Sequence, residues 1–108
     1  MEQVRRFSFF EIRKKDKVTE IEPLSRRIDN EQMDELQSIL AMVFYESNRH
    51  IKIEFNSVES ISLVVLVRLL KFGLDLREKK RVLIFAKPKI SVQTYLERFH
   101  LSELVLVV

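Results

Sequence analysis

The sequence predicts an α/β fold in which a mixed β-sheet begins with an N-terminal hairpin and carries about three helices. Two β-rich runs, residues 4–12 and 18–24, flank a charged tetrapeptide at 14–17 that has no glycine, which is typical of an antiparallel hairpin. Strand-like and helical periodicities then alternate along the chain. Because alternating strands and helices favour parallel strands joined by right-handed crossovers, the sheet is predicted to be mixed.

Length and composition predict one folded domain spanning residues 1–108. The chain is 46% hydrophobic and 32% charged, which suits a single hydrophobic core and is too apolar for intrinsic disorder. Cysteine is absent, so disulfides, thiolate metal sites and a cysteine nucleophile are excluded. A reducing compartment fits this composition, and we expect a cytoplasmic protein.

Neither a membrane nor a nucleic acid is an expected partner. The longest apolar stretch, residues 61–76, is interrupted by polar and charged side chains, and residues 1–10 contain no continuous apolar region like that of a secretory signal. The net charge is +3, and the basic clusters at 14–17 and 79–81 contain or follow acidic residues. They form no uninterrupted basic face, so we interpret them as solvated turn residues and a helix end.

The first helix has the clearest start signal. Asp29 and Asn30 are candidate N-caps, Gln32 completes a capping box with Asp29, and acidic residues load the first turn. The helix is predicted to end near residues 46–48. Its buried stripe is predicted to consist of Met33, Leu36, Leu40, Val43 and Phe44.

Two further helices are predicted, at residues 62–80 and 91–99. The first of them opens with β-branched residues that favour a strand, but its later leucines follow helical spacing, and its length decides for a helix with Ser62 as N-cap. Gly73 inside it is expected to allow close packing of the helix on the sheet. In the other helix, Ser91 can act as the cap.

The remaining strands are predicted from alternation and apolar runs. Residues 51–55 alternate apolar and charged side chains, whereas residues 82–86 form an unbroken apolar run typical of a strand covered on both faces. Pro23 indicates an edge or a strand end. Residues 104–108 form either a last strand or an apolar tail.

No constellation of residues points to catalysis, a cofactor or a metal. His50 and His100 lie far apart without ligand spacing, and one glycine cannot build a phosphate-binding loop. Ser57, Ser60 and Ser62 lack the surroundings of an activated nucleophile. We therefore expect a protein without enzymatic activity.

Four short motifs occur in an order and spacing that match a known family. Residues 24–29 are Leu-Ser-Arg-Arg-Ile-Asp, residues 51–58 are Ile-Lys-Ile-Glu-Phe-Asn-Ser-Val, residues 61–66 are Ile-Ser-Leu-Val-Val-Leu, and residues 101–104 are Leu-Ser-Glu-Leu. Together they resemble the STAS domain, represented by bacterial anti-sigma factor antagonists, over most of the chain. The resemblance implies a single STAS-like domain that binds another protein.

The resemblance also implies how such binding is switched. In the family, the unphosphorylated antagonist binds an anti-sigma factor, often a serine kinase, and so frees a sigma factor. Phosphate on a serine at a helix start opposes docking by repulsion and desolvation. That serine falls on Val64, which cannot be phosphorylated. Binding is then constitutive, or is controlled by abundance, by oligomerisation or by a fallback serine, of which Ser62 is the first choice.

The expected partner surface is the start of this helix together with the first motif. Its residues are Arg26, Arg27, Ser60, Ser62, Leu63, Val64, Val65, Val67 and Arg68. Residues 63–65 are bulky where the family has small and polar side chains, and two interpretations stay open. They form an exposed apolar docking patch, or they enlarge the core or a dimer contact. In the dimer case, with residues 105–108, the chain is a self-associating scaffold that does not act on a sigma factor.

Overall fold

Strands and helices alternate along the chain after an opening meander of three strands. A computed structural model describes residues 3–108. The elements are β1 Gln3–Arg6, β2 Phe10–Lys14, β3 Val18–Pro23, β4 Arg27–Ile28, α1 Asn30–Glu46, β5 His50–Glu54, β6 Ser60–Ile61, α2 Leu63–Glu78, β7 Leu83–Ala86, α3 Ile90–Arg98 and β8 Leu106–Val107.

The main sheet has six strands in the order β1-β2-β3-β5-β7-β8. The first three strands pair antiparallel, and β3, β5, β7 and β8 pair parallel. A separate parallel pair joins β4 to β6. The predicted mixed sheet with an N-terminal hairpin and three helices is therefore confirmed, and the last strand exists.

The parallel strands follow one another in a single direction across the sheet, from β3 to β8. Right-handed crossovers in one direction put every crossover helix on the same face. Ile51 and Ile53 point into the buried core on that face, whereas Lys52 and Glu54 alternate with them on the outer face and are only partly buried. The sheet thus has one packed face and one polar face.

Two predictions about strands were wrong. The run at 4–12 is not one strand, because the chain reverses at residues 7–9, where the Phe7 amide donates to the Phe10 carbonyl at 2.8 Å. The strand at 82–86 is not covered on both faces, since Val82 is exposed and Ile84 is only partly buried. Pro23 ends β3, as predicted, but β3 is an inner strand.

Helix α1 begins as its sequence predicts. The Glu31 amide donates to Asp29 Oδ1 at 3.0 Å, and Gln32 Oε1 accepts from the Asp29 amide at 2.8 Å, which completes the capping box. Ile39 joins the predicted stripe in the core, while Met33 and Phe44 lie at its margin. The helix ends at Glu46, within the predicted range.

Arg81 closes the other end of α1 from a distance in sequence. Its guanidinium donates to the carbonyls of Phe44, Val43 and Arg49 at 2.9, 3.2 and 2.8 Å, and lies 5.4 Å from the centre of the Phe44 ring. Arg81 is buried, so the prediction of a solvated turn residue was wrong for this position. Burial lowers the pKa of Arg81, but a guanidinium keeps its charge in proteins. That charge suits the negative end of the helix dipole.

Gly73 allows α2 to approach the sheet closely. A Cβ atom at this position would lie 3.1 Å from the Leu104 carbonyl oxygen and 3.2 Å from Leu83 Cδ2. The predicted close contact with the sheet is confirmed, because Leu83 belongs to β7. The Leu104 carbonyl, in the segment that precedes β8, also lies close to Gly73. In α3, by contrast, the predicted Ser91 cap was wrong: Lys89 is the N-cap residue and makes no side-chain hydrogen bond.

The outer face of the sheet carries ion pairs within and between strands. Glu11 accepts from Arg13 at 2.9 Å and from Arg6 at 3.1 Å, and Lys52 lies 3.6 Å from Glu20. Arg13 and Arg6 hold the pKa of the Glu11 carboxyl below its ordinary value, against a desolvation effect that raises it. The polar face is thereby neutralised within the sheet itself.

Replacing Arg81 should weaken the whole fold. Arg81→Ala removes the donor for three carbonyls, two of them at the end of α1, and we expect the free energy of unfolding to fall by about 3 kcal/mol. Urea denaturation measures this. Arg98→Ala, at an exposed arginine, should change stability by less than about 0.5 kcal/mol. Equal stability of the two variants would contradict the capping role.

The Glu11 cluster should contribute to stability only while its carboxylate is ionised. Because the pKa of Glu11 is lowered in the folded protein, its contribution is present above the ordinary value of 4.5 and is lost as the pH falls through the lowered value. Glu11→Gln should therefore be less stable than the parent protein at neutral pH, with a gap that closes in acid. Denaturation between about pH 7 and pH 3 tests this, and exposed Glu97→Gln is the control. A gap that stays constant with pH would contradict it.

Candidate functional site

The predicted site residues gather at the edge where the parallel strands β3, β5 and β7 end. In open α/β sheets this carboxyl edge is where ligands bind, because the loops that leave the strands converge there. The Glu59 amide donates to the Arg26 carbonyl at 2.7 Å, and the Ser62 amide donates to the Ile28 carbonyl at 2.9 Å. Ser91 Oγ donates to the Glu59 carbonyl at 2.6 Å, which ties the start of α3 to the same loop.

Ser62 holds the start of α2 in place. Its Oγ accepts a hydrogen bond from the Val65 amide at 3.2 Å, so it is the N-cap that the sequence predicts. An N-cap oxygen satisfies one of the free amides of the first turn. This role is structural, and it occupies the hydroxyl that is the fallback modification site.

The first turn of α2 presents an apolar patch, which we define as Leu63, Val64 and Val67. These side chains are exposed by 42%, 61% and 56% respectively. They lie at helical spacings that share one side of the helix. The open question of exposure is thus answered for these three residues: Val64, on which the resemblance placed the family serine, is the most exposed of them.

Val65 does not belong to this patch. Its side chain is 0% exposed and belongs to the hydrophobic core, because one turn of helix must place some residues toward the sheet. We therefore remove Val65 from the expected partner surface. Residues 63–65 therefore divide between the two interpretations: Val65 enlarges the core, whereas Leu63 and Val64 are exposed apolar side chains.

The other predicted partner residues surround the patch at different depths. Arg26 and Arg27 are exposed, and Arg27 pairs with the half-buried Ser60 across β4 and β6. Arg26 lies 3.9 Å from Glu59, a distance at which an exposed ion pair contributes little. Arg68 is partly buried at the boundary between α1 and α2.

Charged side chains of both signs lie at this edge. The first turn of α2 contains no acidic side chain to offset the positive end of the helix dipole. Two exposed arginines, Arg26 and Arg27, add formal positive charge nearby. Glu59, which is also exposed, lies 3.9 Å from Arg26 and offsets part of that charge.

The remaining serines and histidines have local roles. Ser57 Oγ lies 3.5 Å from the Pro23 carbonyl oxygen, and His50 Nδ1 accepts from the Val82 amide at 3.0 Å, a strand-to-strand link that the sequence did not predict. Across residues 3–108, no group of three or more acidic, histidine or cysteine side chains could hold a metal ion. In the same part of the chain, no helix is long and apolar enough to cross a membrane.

Sequence reasoning missed Ile90 at the start of α3. It is one of the most exposed large apolar residues described, and it precedes Ser91, which bonds to the Glu59 loop. Ile90 is the first residue of α3 and does not belong to the buried stripe of that helix, so the helical spacing of apolar residues did not identify it. Residues 87–90 thus belong to the same edge as the patch.

Comparison with solved structures identifies the fold. A protein from Thermotoga maritima, provisionally described as an anti-sigma factor antagonist, superposes with a TM-score of 0.69 over 91% of this chain and 84% of its own. The chain has a STAS-like fold. The sequence identity is 18%, so the similarity establishes the fold alone. No family model and no curated protein sequence matches the chain.

Proposed function

We propose that this protein is an anti-sigma factor antagonist that binds its partner through the apolar patch at the start of α2. The observation that carries the proposal is the exposure of Val64, 61%, at the position that corresponds to the family's regulatory serine. Solvent-exposed apolar clusters beside charged residues commonly mark protein interaction sites. The STAS-like fold supports the same role.

The proposed partner is an anti-sigma factor of the serine-kinase type. In this proposal, catalysis belongs to the partner, and the chain acts only by binding in the cytoplasm. Exposed Arg26 and Arg27 form a charged rim with Glu59 at the same edge, and the excess of positive charge supports a partner surface with acidic residues around an apolar contact. Specificity then comes from the charged rim, and affinity comes from burial of the patch.

The proposed binding is constitutive with respect to phosphorylation. Val64 has no hydroxyl, and Ser62 already uses its oxygen to cap α2. The dipole of α2 would favour a phosphate at Ser62, so the proposal rests on the missing hydroxyl at Val64 and not on the cap. Control by abundance or by oligomerisation therefore replaces the family's chemical switch in this proposal.

A second candidate function is self-association as a structural module. It is favoured by the edge strand β8, where Leu106, Val107 and Val108 are all exposed. An edge strand offers free backbone groups to another strand, and apolar side chains there add a driving force. Light scattering separates the candidates, because a protein that stays monomeric at micromolar concentration removes this one.

Val64→Asp should abolish partner binding without harming the fold. An unpaired carboxylate buried at the centre of an interface should weaken binding by at least about 100-fold. Aspartate suits the first turn of a helix, so the melting temperature should hold. The chain is used to isolate a kinase-like anti-sigma factor from the native host, and calorimetry on the purified pair measures affinity.

Val4→Asp is the matched control for that measurement. Val4 is 55% exposed and lies on the edge strand β1, outside the loops that form the site. It undergoes the same change of side chain and should leave affinity within about twofold of the parent. If Val64→Asp binds as tightly as Val4→Asp, the interface lies elsewhere on the protein.

The protein should resist phosphorylation by its partner. After incubation of the purified pair with ATP, mass spectrometry should find no phosphate on Ser57, Ser60 or Ser62. A variant with Val64→Ser restores the hydroxyl at an exposed position and should become a substrate, which shows that the kinase is active. Stoichiometric phosphoserine in the parent protein would refute constitutive binding.

A further inference from the structure

Ile90, the first residue of α3, has the most exposed large aliphatic side chain among residues 3–108. Its exposure is 77%, above that of every residue in the apolar patch. Val92 and Leu96 are the buried residues of α3, so the helix does not need Ile90 for its packing on the sheet. One exposed apolar residue is ordinary on a protein surface, and Ile90 becomes informative through its neighbours.

Two lysines flank Ile90 without ion-pair partners. Lys87 and Lys89 are exposed, and neither forms an ion pair within residues 3–108. Lys89 is the N-cap residue of α3 and makes no side-chain hydrogen bond to the helix. Glu59, in the loop that bonds to α3, lies 3.9 Å from Arg26 and outside ion-pair distance of both lysines. No ion pair within the described chain therefore neutralises the positive charge beside Ile90.

Ile90 lies close enough to the apolar patch to share one interface with it. The Ser91 hydroxyl donates to the Glu59 carbonyl at 2.6 Å, and Glu59 precedes Leu63 by four residues, at most about 14 Å of chain. A specific interface buries about 800 Å² per partner, which is roughly 30 Å across, and involves about 20–30 residues a side. Three side chains cannot supply such an interface, so a partner that docks on the patch must also contact its surroundings.

The two helix starts beside α2 differ in chemistry. Helix α1 begins with the acidic residues Glu31 and Asp34, both exposed, and no large apolar side chain is exposed between residues 30 and 40. Helix α3 begins with exposed Ile90 between two lysines. A partner surface with an apolar contact and acidic surroundings is therefore complementary to the start of α3 and is repelled by the start of α1.

We propose that the protein partner contacts the start of α3 as well as the patch on α2. In this complex an apolar side chain of the partner packs against Ile90, and carboxylates of the partner lie near Lys87 and Lys89. The inference rests on the proposed function for the identity of the partner. It extends the partner surface beyond residues 26–27 and 60–68, and it adds a second apolar anchor.

Photo-crosslinking in the native host tests whether one protein covers both helix starts. The photoreactive residue benzoylphenylalanine replaces Ile90, Val64 or Val4 in three versions of the full chain. Irradiation should link the versions altered at Ile90 and at Val64 to the same protein, identified by mass spectrometry, and the version altered at Val4 should not capture that protein. A link at Val64 alone, or links to two different proteins, would overturn this inference and leave the patch standing. No link at Val64 would refute the proposed function instead.

Calorimetry with the purified partner tests the apolar anchor. Ile90→Asp should weaken binding by at least about 30-fold, because it places an unpaired carboxylate in the contact and opposes the acidic residues of the partner. The melting temperature should hold, because aspartate suits the first turn of a helix. Val4→Asp is again the control with the same new side chain. If Ile90→Asp binds as tightly as Val4→Asp, while Val64→Asp does not bind, the partner does not contact α3.

Charge reversal at Lys89 tests the acidic surroundings. Lys89→Glu should weaken binding by at least about fivefold at low ionic strength, and by less in about 0.5 M salt, because salt screens exposed charges. Lys17→Glu makes the same change at an exposed lysine just before β3, at the opposite edge of the sheet, and should leave affinity within about twofold of the parent. Equal effects of the two reversals would overturn the acidic contact.

Discussion

The direction of the crossovers is the constraint on which the rest of this structure depends. Because β3, β5, β7 and β8 follow one another across the sheet in order, right-handed connections place the crossover helices on a single face. That face holds the core, and the opposite face must be polar enough for water, which its cross-strand ion pairs provide. The same topology brings the starts of α2 and α3 to one edge.

Long-range hydrogen bonds then hold this arrangement in register. Arg81 binds carbonyls at the end of α1 and before β5, so one side chain connects the helix, the central strand and the start of β7. At the other edge, β4 and β6 pair through only two residues each, yet they fix the loop that leads into Ser62. The apolar patch on α2 therefore lies on a hydrogen-bonded support and not on a free loop.

The sequence predicted an element correctly where the interacting residues are close together in the chain. The capping box of Asp29 and Gln32, the cap of Ser62 and the spacing of the leucines in α2 each predicted an element that the structure contains. Signals failed where the partner is distant. The run at 4–12 contains neither glycine nor proline to mark the reversal, whereas in the folded chain Glu35 of α1 accepts from the Phe9 amide at 2.8 Å.

The sequence by itself determined the class of fold, the order of its main elements and the absence of a hydroxyl at Val64, because these depend on local propensity and on residue identity. Tertiary structure alone decided which side chains face water. A helix turn distributes Val64 and Val65 to opposite environments once α2 lies on the sheet, so one is available to a partner and the other belongs to the core.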